Sequence, residues 1–227
     1  MKLLALDAST EALSVAVVDS ERDYEIEHFE IAPQAHARRL LPLAHELLER
    51  AELALADLDG FAFGRGPGAF TGLRIAAGLV QGLAAGVDRP VVPVSTLAAL
   101  AARCFHHDEK IRHVRVVQDA RMGEIYTADY QRGETAAPIV IEEERVIRPE
   151  ALDTDDAWVR AGNGWGVVAS ARGVAADTLV ALEQWPHALD IARLAWPVLA
   201  RGDGVAAARA LPVYVRDDVT RKPSGAR

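Results

Sequence analysis

Three short stretches carry residues of the types and spacing that could do chemistry on a phosphate or a nucleotide. The first is GRGPGAFTGLR, residues 64–74. A P-loop needs G-x-x-x-x-G-K-[ST], its lysine reaching the terminal phosphates. Here five residues separate Gly66 from Gly72, and Leu73 stands where the lysine belongs. A dinucleotide fingerprint begun at Gly64 or Gly66 puts its third glycine on Ala69 or Thr71. Both motifs fail, yet the physics of the segment remains. Its glycines permit close backbone approach, Pro67 fixes a bend, and Thr71 is placed to cap a helix whose first turn holds Arg74. A strand–loop–helix unit of this kind can seat an anion on free N–H groups; a tight strand-to-helix connection explains the same residues.

The second stretch, LALDASTEALSV, puts Asp7 at the end of a strand with Ser9 and Thr10 in the following turn. In a cleft these could hold a metal-bound phosphate, and they are also ordinary turn residues. The third, DARMGEIY (119–126), sets Asp119, Arg121 and Glu124 around a hairpin at Gly123. Their charges suit either a cleft or a local ion pair. There is no His-x-x-x-His, no cysteine pair, no carboxylate–histidine cluster at metal spacing and no G-x-S-x-G. No catalytic residue and no metal ligand is identified.

The elements that must position these stretches follow from periodicity. Residues 1–31 read as a three-stranded meander, and Leu40, Leu43, Ala44, Leu47, Leu48 and Ala51 as the apolar face of a helix that starts or bends at Pro42. DGFAFGRG is a strand, TGLRIAAGLVQGLAAG a helix, PVVPV a strand, and STLAALAARCF a helix capped by Ser95 or Thr96. After the polar link at 106–110 come HVRVVQ, GEIYTADY and PIVIEEERVI as strands, then WVRAG. A helical run follows, then a helix over ALDIARLAWPVLARG interrupted by Pro197. Two related α/β lobes with a cleft between them are expected. The first spans 1–105, completed by 188–227, and a smaller second lobe spans 106–187. The 71–87 helix is apolar nearly all round, with only Arg74 and Gln81 strongly polar. A sheet covers one side of such a helix, so the other side is expected to meet another helix, either a partner's or the chain's own C-terminal one.

Composition narrows the class. At 227 residues and net charge −8, the chain is acidic over 1–190 and basic only at its end, where Arg216, Arg221, Lys222 and Arg227 cluster. Such a surface does not neutralise many phosphates unaided, so nucleic acid would be held mostly by a partner. The tail is the one candidate contact, or an ordinary solvated terminus. A single cysteine excludes an internal disulfide and fits a reducing compartment. The opening apolar run is too short for a signal peptide and no apolar run reaches bilayer length, so a soluble cytoplasmic protein is expected.

Taken in order, LALDASTEALSVAV, AHARRLLPL, GRGPGAFTGLRIAAGLVQGLA, QDARMGEIY and ALPVYVRDDV resemble the bacterial TsaB (YeaZ) family. The resemblance runs over nearly the whole chain and implies the two-lobed, ribonuclease H-like fold of the actin-like, sugar-kinase and Hsp70-like superfamily. It also implies a role in making threonylcarbamoyl-adenosine beside the anticodon of tRNAs that read codons beginning with A. In that system TsaD is the metal-bearing transferase, TsaE an ATPase, and the TsaB subunit a non-catalytic scaffold. ATP or ADP and the metal ion are then expected on the partner subunits, with tRNA held through the complex. Homodimerisation of the free chain is left open. On this chain the resemblance puts the partner face at His36, Arg38, Leu41, Phe70, Thr71, Arg74, Ile75, Gly78, Leu79 and Gly82. Asp7, Ser9, Thr10, Asp119, Arg121 and Glu124 remain as a weak nucleotide or cleft site. The superfamily's phosphate loop, D-x-G-x-[TS], lacks its glycine here, and Glu11 adds a repelling charge. The competing function is an ATP-dependent small-molecule phosphotransferase in which Asp7 holds Mg²⁺. A peptidase reading lacks its ligands.

Overall fold

The computed structural model describes residues 1–134, 137–153 and 157–215. Strands β1 (Lys2–Asp7), β2 (Ala12–Asp19) and β3 (Tyr24–Ile31) form an antiparallel meander. β4 (Gly60–Gly66) and β5 (Val91–Ser95) continue from β1 in parallel, giving the order β3-β2-β1-β4-β5. This strand order is the expected ribonuclease H-like arrangement, and a second α/β unit follows it.

Alternation along β1 explains why the strand is apolar throughout. Leu4 and Leu6 face α1 (His36–Arg50) and α2 (Phe70–Val87), together with Val15, Phe61, Phe63, Leu40, Leu47, Ala76 and Val80. Leu3 and Ala5 face the other way, onto Ile191, Ala192 and Ala195 of α5 (Ala188–Ala200). A strand covered on both faces reads as a continuous apolar run. α5 is held at its start by two acceptors. The Ala188 N–H donates to Ser14 Oγ at 3.0 Å and the Leu189 N–H to Glu27 Oε1 at 3.0 Å.

Helix α3 (Thr96–His107) joins the two lobes. Leu97, Leu100, Ala101 and Phe105 pack with Val114, Val116, Ala128 and Tyr130 of the second sheet. That sheet has the order β8-β7-β6-β9, from β6 (His113–Arg121), β7 (Glu124–Arg132), β8 (Pro138–Ile147) and β9 (Val159–Ala161). Trp165 and Val168 of α4 (Trp165–Arg172) close over Val117, Ile125 and Leu152.

Ser95 is the cap of α3, its hydroxyl accepting the Ala98 N–H at 3.0 Å. Three other boundaries differ from expectation. α1 starts at His36 and runs through Pro42, and α5 runs through Pro197. Both prolines lie on exposed faces, where water can satisfy the carbonyl left without an N–H. α2 starts at Phe70, so Thr71 lies inside its first turn and caps nothing. Ala69 is the flanking residue, fixed by its N–H donating to Ser9 O at 2.7 Å. Among the described residues α2 alone has the length and apolarity to cross a bilayer. One face of it, with Leu73, Ala76, Ala77, Val80 and Ala84, is buried against the first sheet.

Candidate functional site

A cleft of about 780 Å³ opens between the lobes. Its walls come from the β1–β2 turn (Ser9–Glu11), the start of α1, the residues entering α2 (Gly68–Gly72), the β6–β7 hairpin and Asn163. Arg121 spans it. The guanidinium donates to Asp119 Oδ2 at 3.0 Å and also to Glu11 Oε1 of the opposite lobe. Asp119 and Arg121 therefore line the cleft, paired with each other and, through Arg121, with the carboxylate across it.

Asp7 is not part of this wall, contrary to expectation. It is fully buried behind the turn, where Oδ2 accepts the Ser9 N–H at 3.1 Å and the Ser9 hydroxyl at 2.9 Å. Oδ1 has no hydrogen-bond partner and lies against Gly64. Burial pushes the carboxyl up to about 7, with the Ser9 bonds opposing it only in part. Ser9 is likewise buried, and Thr10 Oγ1 accepts the Ala12 N–H at 3.2 Å, so both hydroxyls organise the turn. Glu124 is also displaced: it pairs in register with Arg121 beside the hairpin turn and does not line the cleft.

The glycine-rich segment packs on that same turn. A Cβ at Gly68 would collide with Ser9 O, one at Gly72 with Ala8 O, and one at Gly64 with Asp7 Oδ1. Its glycines thus let β4 and α2 press onto the β1–β2 turn, and the close approach that a phosphate would need is taken up by protein backbone. No group of three or more metal-ligating side chains occurs among the described residues. With Asp7 enclosed and Glu11 and Asp119 at the mouth, these residues do not fit a magnesium-bound nucleotide.

The expected partner face divides in two. Arg38, Leu41, Phe70, Thr71, Gly78 and Gly82 are exposed, Leu41 by 50% and Phe70 by 40%, and Ile75 and Leu79 are half-buried. Nothing lies within 4 Å of a Cβ built at Gly78, Gly82 or Gly86, so α2 turns a strip of bare backbone outward beside Ile75, Leu79 and Leu83. His36 departs from the expectation. Its ring is buried with Nε2 3.1 Å from Ala12 O, so it ties α1 to β2. Arg74 is exposed yet engaged, stacked 3.7 Å from the Phe70 ring centroid and donating to the Tyr214 hydroxyl at 2.9 Å. The basic tail residues Arg216, Arg221, Lys222 and Arg227 lie outside the described residues.

Two features escaped the sequence reading. Residues 210–214 run along α2, held by Gln81 Nε2 donating to Ala210 O and by the Val213 N–H donating to Arg65 O, with Leu211, Val213 and Tyr214 exposed. Gln118 lines the cleft yet is almost fully buried, and neither of its amide atoms has a hydrogen-bond partner. Its signal was visible: an amide stands where the alternation Val114, Val116 asks for a third apolar residue.

A family model described as TsaD, tRNA N6-adenosine threonylcarbamoyltransferase, matches residues 28–180. The TsaB protein of tRNA threonylcarbamoyladenosine biosynthesis from Escherichia coli is 38% identical over 98% of this chain and 97% of its own length. Its Haemophilus influenzae counterpart is 37% identical over 98% and 96%. The solved structure of YeaZ from Pseudomonas aeruginosa superposes with a TM-score of 0.80 at 42% identity, covering 94% of this chain and all of that one. End-to-end similarity in sequence and in fold leads to one assignment: the chain belongs to the TsaB (YeaZ) family.

Proposed function

We propose that the chain is the non-catalytic subunit of a bacterial tRNA threonylcarbamoyladenosine machinery, binding a TsaD-type transferase through α1 and α2. One observation carries this reading: the outward strip of α2, where Gly78 and Gly82 are open and Ile75, Leu79 and Leu83 flank them. Small residues let a second helix approach closely, and the flanking aliphatic side chains supply apolar area to bury. The subunit acts by holding that face rigid, since α2's other face is locked on the first sheet. Threonylcarbamoyl transfer, its metal ion and its ATP or ADP belong to the partner subunits TsaD and TsaE. The tRNA is held by the assembled complex in the cytoplasm, and the same face serves a homodimer when the chain is alone. The phosphotransferase alternative is disfavoured by the burial of Asp7, which would have to reach magnesium.

Leu79→Glu puts a charge at the centre of this face and is expected to weaken the complex by about 3–5 kcal/mol. Calorimetric titration against the transferase, with circular dichroism to establish the fold of the variant, measures it. Unchanged affinity in a folded variant would falsify the interface. In cells depleted of the protein, threonylcarbamoyl-adenosine in tRNA is expected to disappear and to return with the wild-type chain but not with Leu79→Glu.

A further inference from the structure

We propose that residues 210–214 form, with α2, a groove that receives a transferase helix carrying a carboxylate for Arg74. The inference rests on the reading of α2 as the partner face and extends that face to a second element. The segment is fixed at three points. Gln81 Nε2 donates to Ala210 O at 3.1 Å, the Val213 N–H to Arg65 O at 2.8 Å, and Arg74 Nε to the Tyr214 hydroxyl at 2.9 Å. Backbone held in this way is ordered before a partner arrives, so less entropy is lost on binding.

The side chains this segment turns outward are apolar. Leu211 is 60% exposed, Val213 40% and Tyr214 41%. The Tyr214 ring centroid lies 5.3 Å from that of Phe70, which joins these residues to the exposed side of α2. Between segment and helix runs a groove of about 330 Å³, bordered by Arg74, Gly78, Gln81, Leu211 and Tyr214. Gly78 presents bare backbone to it. A helix packs by setting a ridge of side chains into such a groove. Contiguous apolar surface rimmed by polar groups marks an interaction site.

Arg74 decides the occupant's charge. Its guanidinium is stacked 3.7 Å from the Phe70 ring centroid and bonds Tyr214 through Nε alone. Among the described residues nothing accepts from its two terminal nitrogens, and no carboxylate lines the groove. A planar cation held in place with both terminal nitrogens free suits a bidentate carboxylate. A second copy of this chain fits less well. Arg74 is the one charge on α2, so a second α2 brings no carboxylate to meet it.

Calorimetric titration of the full chain against the transferase tests the groove, with Leu79→Glu as the reference for the α2 face. Leu211→Asp changes an exposed side chain, so the free chain should melt as the wild type does. Its complex is expected to be weaker by about tenfold or more. Arg74→Gln is expected to weaken the complex about threefold to tenfold and to flatten its dependence on salt, as loss of an ion pair does. If Leu211→Asp binds like the wild type while Leu79→Glu does not, the groove is overturned and the α2 face stands. If both bind like the wild type, the α2 face falls as well. An unchanged salt dependence in Arg74→Gln overturns the carboxylate. If sedimentation shows Leu211→Asp dissociating a homodimer while the transferase binds as before, the occupant is a second copy and the proposal fails.

Discussion

At Asp7 the fold encloses a carboxyl group that nothing in the cleft can use. Its ordinary value of 3.8 rises to about 7 on folding, chiefly through burial. Between those two values the folded chain keeps a proton that the unfolded chain has released. Stability therefore falls as pH rises through this window, and the loss is complete above about pH 7. At about 1.4 kcal/mol per pH unit the penalty is on the order of 4–5 kcal/mol. Asp7→Asn keeps an acceptor for the Ser9 N–H and hydroxyl and never ionises. It is expected to be more stable than the wild type at pH 8, by about 4 kcal/mol, and nearly equal to it at pH 4. Urea denaturation at both pH values measures the difference; parallel pH profiles for the two proteins would refute the enclosed-carboxyl account.

Along α2, glycines of two kinds lie less than two turns apart. Gly72 touches the Ala8 carbonyl, and Gly78 touches nothing. Gly72→Ala is expected to cost about 1–3 kcal/mol or more, because backbone rather than a flexible side chain must yield. Gly78→Ala is expected to stabilise the free chain by about 0.5–1 kcal/mol through helix propensity. The same change holds a partner helix away, so tighter folding should accompany weaker association. Denaturation midpoints and titration with the transferase read the two effects separately, and a Gly78→Ala variant with unchanged association would detach the glycine strip from the interface. The strands and helices themselves were legible from period 2 and period 3.6 patterns, and the Ser95 cap from its place before an apolar run. What the glycines do was not legible, since the residue type permits close approach without saying to which atom. Of the two readings at Pro42, a helix start is excluded because α1 begins at His36; a proline on a solvent-facing helix flank is tolerated, and exposure is not written in the local sequence. His36 misled for the converse reason: its side chain turns inward to a carbonyl on β2.

Of the ion pairs between the lobes among the described residues, two act as clasps of unequal strength. Arg65 donates to Glu144 at 3.1 and 3.3 Å through both terminal nitrogens, and the Ser95 hydroxyl also bonds Glu144. These side chains are 26% and 11% exposed. Arg121 reaches Glu11 across the cleft but is two-thirds exposed. Glu144→Ala is therefore expected to cost about 1–3 kcal/mol, and Arg121→Ala at most about 1 kcal/mol, the latter vanishing at high salt. Urea melts at low and high ionic strength separate the two; equal costs would mean that burial does not set the strength of these clasps. The first lobe is completed by α5, which seals the far face of the first sheet although its residues come after the whole second sheet. On the ribosome, Leu3, Ala5, Ala16, Val18 and Ala62 therefore wait uncovered while the second lobe is made. That wait lasts roughly 5–20 s at about 5–20 residues per second. A nascent chain with so long an exposed sheet face is a natural client for chaperones that shield apolar surface. The N-terminal half released alone would be a misfolding hazard rather than a smaller working protein.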